Sequence, residues 1–231
     1  MNFGEILIYL NPLLIISAIY FGYRNLSRSH KKNDKKYDSL LYVILGNHTF
    51  LLLLLSYYFL TTNLRFEYVS DYSANDLSIW YKLAGLWAGR DGTLLIWSWA
   101  TILTLVLERF FDKKSSKQRE LTSLFGMILL LSLAIIQLYI NPFSLNENTP
   151  DDGKGLNPLL LSPYMIIHPP IVFISYGMIV LLYASGISFL ITEDKRWNDT
   201  IKRWGRGSWI GMSLALIIGG FWAYVTLGWG G

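Results

Sequence analysis

The sequence predicts an all-α fold, a polytopic transmembrane helix bundle of about six spans in a single membrane domain, residues 1–231, with both termini on the non-cytoplasmic side. Three observations carry that prediction. Six stretches of about 20 residues are almost free of charged side chains, and this is the length at which an α-helix crosses the hydrocarbon core. Lipid cannot hydrogen-bond backbone groups, so such stretches must be helical. The 20 Lys and Arg residues lie between them and alternate, sixteen in the first, third and fifth gaps and four in the second and fourth, which assigns the odd gaps to the cytoplasm. The 52% apolar content alone would suit a large soluble core equally well, so it is the distribution that decides.

Span one covers residues 6–23. No basic residue precedes it, it is longer than a leader's apolar region, and no small-residue cleavage site follows, so it reads as a retained span. The basic hairpin after it contains His30, an ordinary solvated side chain. Span two, 40–61, carries Asn47-His48-Thr49 near its middle. An ionisable group at that depth is either functional or part of an interhelical hydrogen bond, the latter being the commoner use. The segment 63–92, rich in Tyr, Trp and Gly, suits the external interface. Spans three and four, 93–110 and 121–140, are joined by a short basic turn and are expected to pack antiparallel.

The external segment 141–169 is acidic at Asp151 and Asp152 and turn-forming at Pro142, Pro150, Gly153 and Gly155, with Leu156 to Ile167 lying along the outer surface. Span five, 170–192, is expected to start at Pro169-Pro170, because proline suits a first helical turn and the residue before it avoids helical geometry. Span six, 209–227, carries Gly219-Gly220, which would admit a neighbouring helix closely.

Composition narrows function. There is no cysteine, hence no disulfide, thiolate metal site or cysteine nucleophile. No catalytic triad, paired carboxylates or phosphate-binding loop appears, which argues against a self-contained hydrolase. The net charge of +4 sits in short loops at helix ends, where membrane lipid headgroups read it; nucleic acid is not an expected partner. His168, stiffened by the prolines after it and flanked by aromatic residues, is placed as an axial haem ligand would be. A histidine capping a proline-started helix fits the same residues. Arg90-Asp91 is either a charge pair at headgroup depth or a site where Arg90 grips a carboxylate such as a haem propionate.

Three blocks carry a family resemblance. One is Trp80-Tyr81-Lys82 through Trp87-Ala88-Gly89-Arg90-Asp91-Gly92-Thr93-Leu94-Leu95-Ile96-Trp97. The next is Asn141-Pro142-Phe143, then Asp152-Gly153-Lys154-Gly155-Leu156-Asn157-Pro158-Leu159-Leu160 and Ile167-His168-Pro169-Pro170. The last is Trp222-Ala223-Tyr224 with Leu227-Gly228-Trp229-Gly230-Gly231. In this order and spacing they resemble the CcmF-type cytochrome c haem lyases and their relatives NrfE and CcsA, from about residue 63 onward. Asp91 and Thr93 stand where that family has Glu and Ser, Leu161 where it often has Gln, and Thr226 where it often has Glu.

The resemblance implies an N-terminal subunit or fragment of a haem lyase complex. It would help hold b-type haem, as substrate and as a bound group, on the external face for thioether attachment to apocytochrome c CxxCH sites. It implies His168 as axial ligand of the haem iron, Arg90, Trp87, Trp222 and Trp229 as haem-binding residues, and Pro169, Pro170, Asn157 and Asp91 in support. The match ends just before the family's tryptophan-rich WWD segment. The expected partners are therefore a C-terminal lyase subunit bearing that segment and the remaining histidines, a haem carrier protein and apocytochrome c. The chain is not expected to be catalytic without them. The membrane would be the plasma membrane, with an external or periplasmic active face, or the mitochondrial inner membrane in an organelle. Two other roles suit the same residues: a haem carrier or transporter component, and a structural docking subunit.

Overall fold

The computed structural model describes residues 1–27, 35–112 and 116–228. The helices in chain order are α1 (Phe3–Ser27), α2 (Lys35–Leu60), α3 (Glu67–Tyr72), α4 (Ile79–Ala84), α5 (Arg90–Phe111), α6 (Lys117–Tyr139), α7 (Pro163–Thr192), α8 (Trp197–Thr200) and α9 (Arg206–Leu227). Single 3₁₀ turns lie at Gly85–Trp87 and Pro158–Leu160, and a π-helical turn, Ile201–Gly205, joins α8 to α9. Among the described residues, six helices are long and apolar enough to cross a bilayer.

Helices α1, α2, α5 and α6 form a closed ring of neighbours, α7 packs across α5 and α6, and α9 lies outermost against α7. The ring interior is filled by Ile15, Ile44, Ile102, Leu105, Met127, Leu130 and their neighbours, all buried. On α9, by contrast, Trp209, Leu216, Ile217, Phe221 and Tyr224 are exposed, as a lipid-facing helix requires.

Polar side chains fasten the ring from within. The Asn47 amide donates to Asn11 Oδ1 at 2.7 Å, joining α2 to α1, and the Trp99 indole donates to Thr49 Oγ1 at 3.0 Å, joining α5 to α2. Gln137 of α6 donates to Ser98 Oγ of α5 at 2.6 Å. His48, fully buried between these partners in sequence, turns Nδ1 to the Ile44 carbonyl of its own helix at 2.9 Å. The interhelical hydrogen bond expected of His48 is not made by its ring; its neighbours Asn47 and Thr49 make those ties instead.

At one end, segments 63–89 and 141–162 fold together into a cap. A single antiparallel bridge pairs Phe66 with Leu145, and the Asn146 amide donates to Leu64 O (2.8 Å) and Ser70 Oγ (3.0 Å). Lys154 Nζ reaches Asp71 Oδ1 at 2.7 Å, and this carboxylate raises the lysine's pKa. Phe143 is fully buried beside Tyr58 and Phe66, and its carbonyl accepts from Asn2 Nδ2 at 2.6 Å. The Asn-Pro-Phe and Asp-Gly-Lys-Gly motifs are therefore the staples of this cap.

At the other end, Glu108 of α5 accepts from Thr200 Oγ1 (2.8 Å), Arg203 Nη1 (3.1 Å) and the Trp204 indole. The π-helical turn brings Arg203 and Trp204 onto the carboxylate that Thr200, the last residue of α8, also reaches. They tie the start of α9 to α5.

The start of the fifth long helix departs from the sequence expectation. α7 begins at Pro163, with Ser162 Oγ accepting from Tyr164 N, so Pro169 and Pro170 lie inside the helix and His168 does not cap it. Residues 163–169, expected as part of an outer-surface segment, form its first turns.

Candidate functional site

The motif around Trp87 is built as a tight turn pinned by one phenol. Tyr68 is buried, and its hydroxyl lies 3.1 to 3.2 Å from the carbonyls of Gly85, Leu86 and Gly89 while accepting from Gly89 N at 3.1 Å. Burial drives the Tyr68 pKa far above its ordinary value, which keeps the hydroxyl a donor. Gly92, at the start of α5, is obligatory: a Cβ there would stand 1.7 Å from the Leu86 carbonyl oxygen. The turn ends with Trp87 facing the first turns of α7, where its indole donates to Met165 O at 2.7 Å. That carbonyl is available because Pro169, four residues on, has no N–H to offer it. The interior prolines thus exchange a backbone bond for a tertiary one.

One residue before this break stands His168, half buried. Its Nδ1 lies 2.9 Å from the carbonyl oxygen of Ala215 on α9. A carbonyl only accepts, so Nδ1 carries a proton, and in the neutral ring this leaves the lone pair on Nε2. The ring sits against Gly219, where a Cβ would come within 2.6 Å of His168 Cε1, whereas Gly220 has no atom within 4 Å of its Cβ position. Of the expected glycine pair, only Gly219 receives the neighbouring helix. Gly219→Ala is expected to force the imidazole off its seat and destabilise the fold by about 1–3 kcal/mol. Gly220→Ala meets no neighbour and should leave thermal stability in detergent equal or slightly higher.

Trp222 meets the imidazole edge-on, with ring centroids 5.9 Å apart. Its indole N–H is buried and, among the described residues, has no hydrogen-bond partner. It borders an apolar groove of about 240 Å³ lined by Leu159, Leu160, Gly219, Trp222, Ala223 and Thr226. Asn157 shapes one wall, its side chain accepting from Leu159 N at 3.0 Å to start the 3₁₀ turn that carries the two leucines.

The structure packs His168 against Gly219 and Trp222, which line this groove together with the leucines of the Asn157 turn, and Trp87 and the prolines fix the helix that presents the histidine. Arg90 and Asp91 are elsewhere. Nε of Arg90 is 3.8 Å from Asp91 Oδ1, the arginine side chain is 81% exposed, and both line a separate polar cavity of about 570 Å³ with Glu67, Asp71 and Asn141. Trp229 and His30 lie outside the described residues. The sequence reading missed Tyr68, Ala215 and Gly219 as parts of the site. A backbone carbonyl leaves no trace in a sequence, whereas a tyrosine ahead of a glycine-studded turn is a signal that was available.

Six apolar helices closed around polar ties, with exposed apolar surfaces, define a multi-pass membrane protein of the helical-bundle class. A family model described as cytochrome C assembly protein matches residues 87–231. The chain belongs to the cytochrome c assembly protein family. It is 31% identical over 182 residues to the cytochrome c-type biogenesis protein NrfE of Haemophilus influenzae, covering 77% of this chain and 29% of that protein. It is 30% identical over 181 residues to CcmF of Escherichia coli, covering 75% of this chain and 28% of that one. The chain thus spans less than a third of the length of these curated relatives. A solved structure titled cytochrome c heme lyase CcmF shares the fold, with a TM-score of 0.77 at 17% identity over 100% of this chain and 38% of the other.

Proposed function

We propose that this chain is the N-terminal part of a membrane cytochrome c haem lyase, supplying one axial ligand and part of the wall that hold haem while apocytochrome c is joined to it. The observation that carries this reading is the orientation of His168: Nδ1 is committed to the Ala215 carbonyl, so Nε2 is the nitrogen that the neutral ring would offer to an iron ion. The surroundings fit the group. The groove beside the ring is apolar, Trp222 offers an aromatic face, and its unpartnered buried indole N–H is a donor awaiting an acceptor.

In this assignment the haem is substrate. A cysteine S–H of the apocytochrome CxxCH site adds across each vinyl C=C, sulfur bonding to one carbon and hydrogen to the other, with no net oxidation. This chain brings no thiol of its own, so both sulfurs come from the apocytochrome. The residues here bind and orient, and the partner segment bearing the WWD stretch and further histidines, with a haem carrier, completes the site. The capped end faces the periplasm, or the corresponding outer side in an organelle.

The test is reconstitution of this chain with its partner segment, haem and a reduced apocytochrome in liposomes. Covalent, denaturant-resistant haem on the apocytochrome is expected. Haem bound by the assembly without thioether formation would replace the lyase reading with a carrier.

A further inference from the structure

Away from the cap, a further pocket lies at the opposite end of the bundle. It has a volume of about 220 Å³ and is lined by Asp38, Leu41, Tyr42, Val106, Arg109, Phe110 and Arg119. Its two guanidinium groups belong to side chains only 5% and 4% exposed, and both are held on one carboxylate. Arg109 Nη1 is 3.2 Å and Arg119 Nη1 3.8 Å from Glu120. Arg109 also donates through Nε to Asp38 at 2.7 Å and lies over the Tyr37 ring at 4.6 Å, while Arg119 donates to the Arg109 carbonyl that ends α5. These ties fix both cations in the lining of the pocket and engage the Asp38 carboxylate. The rim is apolar, and Tyr42 and Phe110 there are each 57% exposed on the outside of the bundle.

The chain changes from apolar to charged at residues 40 and 110, so Asp38, Arg109 and Arg119 lie at headgroup depth. The flanking segments 24–38 and 109–120 carry eleven Lys and Arg against four Asp and Glu. A site with two fixed guanidiniums and aromatic and aliphatic walls, flanked in the sequence by basic segments, matches one kind of molecule. We propose that this pocket binds an anionic phospholipid. Its phosphate would be held by Arg109 and Arg119, and its acyl chains would leave past Tyr42 and Phe110 into the bilayer. The volume takes a phosphate and its glycerol, and the chains remain in lipid. The site is independent of the haem assignment, being formed by the far ends of α2, α5 and α6.

The test uses the full chain purified in detergent and offered an equimolar mixture of phosphatidylglycerol and phosphatidylcholine, with bound lipid read by native mass spectrometry. Retention of phosphatidylglycerol over phosphatidylcholine by roughly five-fold or more is expected, the factor one surface cation supplies. Arg119→Met should bring the ratio close to one. Because Arg119 also caps α5, a second variant, Tyr42→Ala with Phe110→Ala, alters only exposed rim side chains, keeps the fold and should lower retention of the anionic lipid. Equal retention of the two lipids by the wild type, or a ratio unchanged in both variants, would overturn the proposal. So would displacement of the bound lipid by millimolar inorganic phosphate, which would mark a site for the free anion.

Discussion

His168→Gly is expected to reduce haem affinity of the assembled protein by about 100-fold or more, and imidazole added to the buffer is expected to restore it. The magnitude follows from the role proposed for the ring: loss of a partner that merely orients a metal ligand weakens binding by about 10–100-fold, and loss of the ligand itself exceeds that. The glycine leaves a ring-shaped hole between Gly219, Trp222 and the Ala215 carbonyl, the three groups that touch the imidazole. Free imidazole can enter it, donate one nitrogen's proton to Ala215 and turn the other nitrogen outward. A Soret-band titration with and without imidazole measures both. The rescue separates ligation from support, because a purely structural histidine would change thermal stability without an imidazole-dependent haem spectrum. Unchanged haem affinity in a folded variant would remove His168 from the site.

Glu108→Ala is expected to destabilise the bundle by about 2–4 kcal/mol. The carboxylate is the shared acceptor for Thr200, Arg203 and Trp204, and its removal leaves the buried hydroxyl and indole N–H without a partner. The ion pair itself adds little, because the Arg203 side chain is 41% exposed and screened by solvent, so Arg203→Gln alone should stay under about 1 kcal/mol. Glu108→Gln, which keeps an acceptor, should fall between the two. Denaturant unfolding in detergent micelles ranks the three. An alanine variant no less stable than the arginine variant would mean that the π-helical turn is held by packing alone. The expectation extends to the far end of α9, since loosening its start also loosens Ala215 and Gly219 against His168.

The long helices were legible in the sequence because lipid imposes a simple condition, about 20 uncharged residues per crossing, and the chain meets it six times. The membership of His168 and Trp222 in one site was legible only through resemblance, since a separation of 54 positions hides the contact until α7 and α9 are packed. Two features resisted reading. Pro169-Pro170 looked like a helix start, and the helix begins earlier because Trp87, 78 residues away from Met165, supplies the hydrogen bond the proline removes. Arg90 and Asp91 looked like neighbours of His168 because their motif sits beside Trp87 in sequence. Helical geometry sends successive side chains in different directions, so Trp87 reaches α7 while Arg90 and Asp91 turn to the polar cavity beside α3.

The imidazole of His168 has two edges with separate duties. Through one nitrogen it is sewn to the outermost helix, and through the other it can receive a guest. Arrival and departure at the second edge need not unpick the first. In the role proposed for this chain, cargo would come and go while the seam between the two helices stays shut, and the fold would be spared from repacking at each exchange.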